Sequence, residues 1–124
     1  MLTKLTGNDF EEKVCAADKP VVVLIYGDFD PVSSIMKLLL DEVSKDFEKS
    51  VSTYALNVED NYELSTSLKV RTLPTTLYFD KCEMAYRFIG AVPKYRLFGA
   101  FDFFVPKQIS DVSTKPKMAA WLSS

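Results

Sequence analysis

The chain has 124 residues, of which 48% are apolar and 26% are charged, and its net charge is −2. This length is typical of one domain with a single core. The small net charge gives no basis for nucleic-acid binding, which requires clustered Lys and Arg. No apolar run approaches the roughly 20 residues needed to cross a bilayer, so we expect no membrane partner. The chain also has no histidine, which excludes Ser-His and Cys-His catalysis and histidine metal ligation.

The N-terminal sequence MLTKLTGNDF lacks the apolar core of a signal peptide. A cytoplasmic location is therefore the default expectation. A lumenal or organellar location stays open if a leader was removed.

The apolar pattern predicts elements in the order β-α-β-α-β-α-β-β-α, which is an α/β fold. A short strand near Thr3–Leu5 is followed by a helix that carries Phe10 and Val14. The continuous run VVVLIY, Val21–Tyr26, is typical of a strand buried on both faces. Asp30 and Pro31 then begin a long helix whose apolar residues recur every three or four positions: Met36, Leu39, Leu40, Val43 and Phe47.

The second half of the chain changes its period. VSTYALNV (51–58) predicts another buried strand, and Leu64 and Leu68 mark a short helix. TTLYFD and MAYRFI, joined by KCE, indicate an antiparallel hairpin, and 94–104 reads as a closing helix. We therefore expect one domain over residues 1–105 and a C-terminal extension over 106–124 that is rich in Pro, Ser and Lys.

Three strings resemble the thioredoxin family: YALNVEDN, RTLPTTLYF and FIGAVPKYRL. The resemblance extends over roughly Thr3 to Phe104. It implies the thioredoxin fold, three layers around a central mixed sheet, with Pro74 as the family's cis-proline. It also implies that Gly90 and Ala91 form the loop before the last helix.

The resemblance fails at the family's Trp-Cys-Gly-Pro-Cys motif, which falls on Phe29, Asp30, Pro31, Val32 and Ser33. Dithiol exchange requires a thiolate at a helix N-terminus and a second thiol three residues later. Neither a carboxylate nor a serine without a base can replace them. The sequence therefore predicts no dithiol exchange at this junction.

Two further departures concern the family's proton-transfer pair. Its buried acid falls on Leu24 and its lysine partner on Ala55. A buried carboxylate is costly, so two apolar residues here fit a site that no longer moves protons.

From these departures we predict a redox-inactive protein-binding or interaction module without a cofactor or metal. Its partner would be a protein or an extended peptide. The resemblance places the binding groove at eight residues: Phe29, Asp30, Pro31, Val32, Leu73, Pro74, Gly90 and Ala91. Two simpler interpretations stay open: Asp30 is a helix cap alone, and Pro74 only shapes the turn into the hairpin.

The two cysteines, Cys15 and Cys82, form no CxxC pattern. Both should lie away from Asp30, which makes a bridge conceivable, but no sequence feature fixes their separation. We therefore predict free thiols. The alternative function is a thiol oxidoreductase or redox sensor that uses Cys82. The missing motif argues against an enzyme, while that alternative keeps the question open.

The last helix is rich in aromatic residues that cannot all face one core: Tyr95, Phe98, Phe101, Phe103 and Phe104. In one interpretation the C-terminal extension covers them with Met118, Trp121 and Leu122. In the other the helix is a protein interface, used for self-association or as a structural subunit of a larger assembly.

Overall fold

The computed structural model describes residues 2–104. Five strands form one sheet: β1 Thr3–Leu5, β2 Val21–Tyr26, β3 Ser52–Asn57, β4 Thr75–Asp80 and β5 Glu83–Ile89. The α-helices are α1 Pro31–Ser44, α2 Tyr62–Ser67 and α3 Lys94–Phe104. A five-residue π-helix occupies Glu11–Cys15, and a 3-10 turn, Lys45–Phe47, extends α1. The predicted order of elements is confirmed.

The strands lie in the order β1-β3-β2-β4-β5. The pairs β1–β3 and β3–β2 are parallel, whereas the pairs β2–β4 and β4–β5 are antiparallel. The central strand β2 is almost completely buried, as its unbroken apolar run predicts. β2 lies between the parallel strand β3 and the antiparallel strand β4. The loop that follows β3 and the loop that precedes β4 therefore lie at the same end of β2.

Each face of the sheet carries its own core. On one face Val22 and Leu24 pack with side chains from α1 and α3, including Met36, Leu40 and Phe101. On the other face Val21, Val23 and Ile25 pack with Val14 of the π-helix and with Leu64 and Leu68 near α2. The two faces thus alternate along β2, which gives the three layers of the thioredoxin fold.

One predicted segment is not among the described residues. The C-terminal extension, 106–124, lies outside the described residues, so its boundary stays a prediction. Within residues 2–104 no helix is long and apolar enough to cross a membrane.

Candidate functional site

The junction between β2 and α1 is held by a local hydrogen-bond network. The Asp30 carboxylate caps α1, since its Oδ2 accepts from the Ser33 N–H at 3.0 Å and from the Ser33 hydroxyl at 2.7 Å. The Ser33 Oγ in turn accepts from the Gly27 N–H at 3.2 Å, and Ser33 is fully buried. The cap interpretation of Asp30 is confirmed. The Asp30 carboxylate and the Ser33 hydroxyl together stabilise the N-terminus of α1.

The loop before β4 lies against this junction. The Leu73–Pro74 peptide bond is cis, as the resemblance implied. A Cβ added at Gly27 would lie 3.0 Å from Leu73 Cδ1, so the small residue lets this loop approach the end of β2. The Gly90 N–H donates to the Pro74 carbonyl at 2.8 Å, and Gly90 has a φ of +80°, which favours glycine. Three loops therefore meet at one end of the sheet.

The eight predicted groove residues all belong to these three loops or to the first turn of α1. Phe29 is 91% exposed, and Pro31 and Ala91 are exposed as well. Asp30, Val32, Leu73 and Gly90 are half-buried, and Pro74 is buried. This end of β2, including those eight residues, is called the proline end below. It offers one large exposed ring and backbone groups, but no thiol.

The layer beneath the proline end is apolar. Leu24 and Ala55 are direct neighbours in the parallel β2–β3 register, and their exposures are 0% and 5%. The resemblance maps the family's acid and lysine onto this pair. No proton acceptor therefore lies there to serve thiol chemistry at the junction.

The opposite end of β2 carries the sulfur. Cys15, the last residue of the π-helix, and Cys82, in the β4–β5 turn, form a disulfide. The turn consists of Lys81 and Cys82, whose φ values of 52° and 72° are both positive. Two such residues between paired Asp80 and Glu83 are typical of a type I′ hairpin turn. Cys82 is exposed and Cys15 is half-buried. This end is called the disulfide end below.

The prediction of free cysteines is wrong, and packing explains why. The rings of Phe10 and Phe79 meet edge to face with centroids 5.5 Å apart, which holds the start of the π-helix against the end of β4. The π-helix then delivers Cys15 to the turn that follows β4. The two cysteines are 67 positions apart in sequence. The one available signal was that both map to the same end of the sheet.

An exposed ion pair joins the two helices of one face. The Lys94 ammonium donates to the Glu42 carboxylate at 2.8 Å and connects α3 to α1. This hydrogen bond and the charge of Lys94 lower the pKa of Glu42, and the same contact raises the pKa of Lys94. The pair lies away from both cysteines. Among residues 2–104 no cluster of three or more acidic or cysteine side chains could hold a metal.

Comparison with known proteins gives a consistent result. The family model described as Thioredoxin matches residues 1–102. A thioredoxin of Rickettsia bellii is 28% identical over 97 residues, which cover 78% of this chain and 92% of that protein. A thioredoxin of Buchnera aphidicola is 29% identical over 96 residues, covering 77% and 89%. One of Pseudomonas aeruginosa is 27% identical over 101 residues, covering 82% and 94%.

These findings correct the predicted function. A redox-inactive module was inferred from the lack of thiols at the proline end and from cysteines taken to be free. The cysteines are instead joined in a disulfide, and the similar proteins are named thioredoxins. Redox chemistry through Cys82, the alternative, fits both findings better. The model match over residues 1–102 shows that the chain belongs to the thioredoxin family.

Proposed function

We propose that this chain is a thiol–disulfide redox protein whose redox pair is Cys15 and Cys82. The observation that carries the proposal is the disulfide between the chain's two cysteines, in a member of the thioredoxin family. Asp30 and Ser33 cannot perform thiol–disulfide exchange at the proline end, and in this proposal Cys15 and Cys82 perform it at the disulfide end. The co-reactant is a dithiol, on a protein or a small molecule.

The exchange begins at Cys82. A thiolate of the dithiol attacks the Cys82 sulfur, an S–S bond forms to the co-reactant, and Cys15 leaves as a thiolate that takes up a proton. The second thiol of the co-reactant then attacks the co-reactant's first sulfur in this mixed disulfide and releases Cys82 as a thiolate that takes up a proton. The chain gains two electrons and two protons, and the dithiol becomes a disulfide. The reverse sequence reduces an oxidised partner.

Accessibility supports Cys82 as the attacked sulfur. Cys82 lies in an exposed two-residue turn, whereas Cys15 is half-buried at the end of the π-helix. Attack on a disulfide requires the thiolate to approach along the S–S axis, so the exposed sulfur is favoured. Cys15 is then the leaving and resolving thiol.

The test uses two single variants as a matched pair. Cys15→Ser leaves the exposed Cys82, and Cys82→Ser leaves the half-buried Cys15. Each reduced variant is offered the disulfide of 5-thio-2-nitrobenzoate, and release of the coloured thiol is followed. We expect Cys15→Ser to form the mixed disulfide several-fold faster than Cys82→Ser, because of the difference in exposure.

Wild-type chain provides the second arm. Equilibration with reduced and oxidised dithiothreitol, followed by alkylation and mass spectrometry, should show both cysteines alkylated together or neither. Native protein that stays unalkylated at every dithiol ratio, and is alkylated only after unfolding, would contradict the redox function.

We further propose that the proline end binds an extended segment of a protein partner. The Leu73 N–H and C=O form no hydrogen bond within residues 2–104, so a partner strand can pair with them. Phe29, at 91% exposure, offers an apolar contact beside them. The redox pair is separate: the six residues of β2, at 3.3 Å per step, put the two ends about 17 Å apart.

A substitution that removes only the exposed ring tests this recognition. Phe29→Ser should weaken binding of peptides selected from a random extended-peptide library, whereas Tyr62→Ser, another exposed ring at 72%, should not. Both variants keep Cys15 and Cys82, so a loss of peptide binding with unchanged thiol exchange separates recognition from redox function. Equal binding by wild type and Phe29→Ser would refute the groove.

A further inference from the structure

An aromatic groove lies between strand β5 and helix α3. Its volume is about 300 Å³, and its walls are mainly apolar. Six residues define it and give it the name used below: Tyr78, Tyr86, Phe88, Gly99, Phe103 and Phe104. Phe103 at its rim is 72% exposed, and Tyr86 is 48% exposed. Contiguous exposed aromatic surface of this kind is typical of a docking site.

A buried polar atom borders the groove without a partner. Tyr78 is completely buried, and its ring packs edge to face against Tyr86, Phe88 and Phe104. Its hydroxyl forms no hydrogen bond to any atom of residues 2–104. Burial raises the pKa of this hydroxyl, which therefore stays protonated. Because this hydroxyl is closed off from solvent, the groove presents the rings around it, and not the oxygen, to an occupant.

Gly99 supplies a second, independent observation. It lies in the interior of α3, where glycine is less favourable than alanine because of its backbone entropy. Apart from its chain neighbours and the helix's own backbone, no atom of residues 2–104 lies within 4 Å of a Cβ built at Gly99, and its φ does not require glycine. Neither packing nor backbone geometry within the described chain therefore explains this glycine. An occupant that closely approaches the helix backbone does explain it.

The chain itself provides an occupant at the right place. Phe104 lines the groove, and 20 more residues, 105–124, follow it directly. Half of these residues are polar, and Met118, Trp121 and Leu122 lie near the end of the segment. The 17 residues from Phe104 to Trp121 can span roughly 56 Å when extended, so reach is not limiting. Trp121 is the only tryptophan in the chain.

We propose that the aromatic groove binds this chain's own segment 105–124, with Trp121 as the anchor beside Gly99. The proposal concerns a site separate from the redox pair and does not depend on the redox function. It assigns an occupant to the surplus aromatic residues of α3.

Trp121 reports on its own burial, because its fluorescence is the only tryptophan signal. In the full wild-type chain we expect blue-shifted emission and acrylamide quenching several-fold weaker than for the synthetic peptide 105–124. Gly99→Leu fills the groove and should shift the emission to the red and restore peptide-like quenching. Tyr95→Leu places the same side chain on α3 at a position that is 76% exposed and outside the groove, so it should leave both readouts unchanged.

Two further variants guard against a folding defect. Phe103→Ser removes a largely exposed ring, and Tyr78→Phe removes a single oxygen, so both should keep the wild-type circular dichroism. Phe103→Ser should increase quenching of Trp121, whereas Tyr78→Phe, which changes an oxygen closed off from the groove, should not. Peptide-like quenching in wild type, or quenching unaffected by both Gly99→Leu and Phe103→Ser, overturns the proposal. Protection that rises with protein concentration together with a dimer also overturns it, because a second copy then occupies the groove.

Discussion

The two ends of strand β2 organise polar chemistry in opposite ways. At the proline end Asp30 and Ser33, three residues apart, complete a helix cap through short local hydrogen bonds. At the disulfide end Cys15 and Cys82 are joined across 67 positions of sequence. A local motif is readable along the chain, whereas a contact between distant elements depends on the whole fold. The comparison shows that a thioredoxin-family chain can join two cysteines in a disulfide that no sequence motif predicts.

The two ends also differ in what lies beneath them. The proline end rests on the apolar pair Leu24 and Ala55, which lack any group able to take a proton. The disulfide end depends on an aromatic contact between Phe10 and Phe79 to bring its two elements together. Breaking either arrangement should therefore leave the other intact, and the following predictions rank such tests by expected effect.

The largest effect is expected at the disulfide end. Cys82→Ser should lower the free energy of unfolding by about 2–4 kcal/mol, because the bridge closes a long loop and restricts the unfolded chain. Urea unfolding of both proteins measures the difference. Dithiothreitol should reproduce it in wild type and leave Cys82→Ser unchanged. Equal unfolding midpoints for oxidised and reduced wild type would contradict the role assigned to the bridge.

A smaller effect is expected at the proline end. Asp30→Ala should lower the free energy of unfolding by about 1–2 kcal/mol, since it removes the N-cap and leaves the buried Ser33 hydroxyl without its acceptor. Asp28→Ala is the matched control, because Asp28 is exposed and only its backbone N–H takes part in a hydrogen bond, to Glu59. Thermal unfolding of both variants gives the comparison. If the two variants are equally stable, the cap has no energetic role.

The smallest effect belongs to the exposed pair Glu42 and Lys94, which joins α1 to α3. The lowered pKa of Glu42 means that the folded chain favours the charged carboxylate. Its contribution is therefore present above the ordinary glutamate value of 4.5 and is lost as pH falls through the lower folded value. Glu42→Gln should lower the unfolding midpoint slightly at pH 7 and not at all in strong acid. A difference that grows in acid would reverse the assigned sign, and added salt should reduce it.

Much of the fold was predictable because its signals are local. The buried run Val21–Tyr26, the strand Thr75–Asp80 and the helix Lys94–Phe104 have the bounds that the apolar pattern predicts. Asp30 before Pro31 similarly identified a helix start, since capping involves residues within one turn. The first helix was less predictable. A short π-helix, Glu11–Cys15, forms there, and the pattern of Phe10 and Val14 does not distinguish it from an α-helix.

The sequence by itself determined the order of elements, the cap at Asp30 and the exclusion of thiol chemistry from the β2–α1 junction, because each depends on residue type or on neighbours a few positions away. Only the tertiary structure decided that Cys15 meets Cys82, that Tyr78 buries an unpartnered hydroxyl among residues 2–104, and that Gly99 borders open space. These features join residues that are remote in sequence. Their distances are set when two layers of helices close over one twisted sheet, and no single segment encodes that closure.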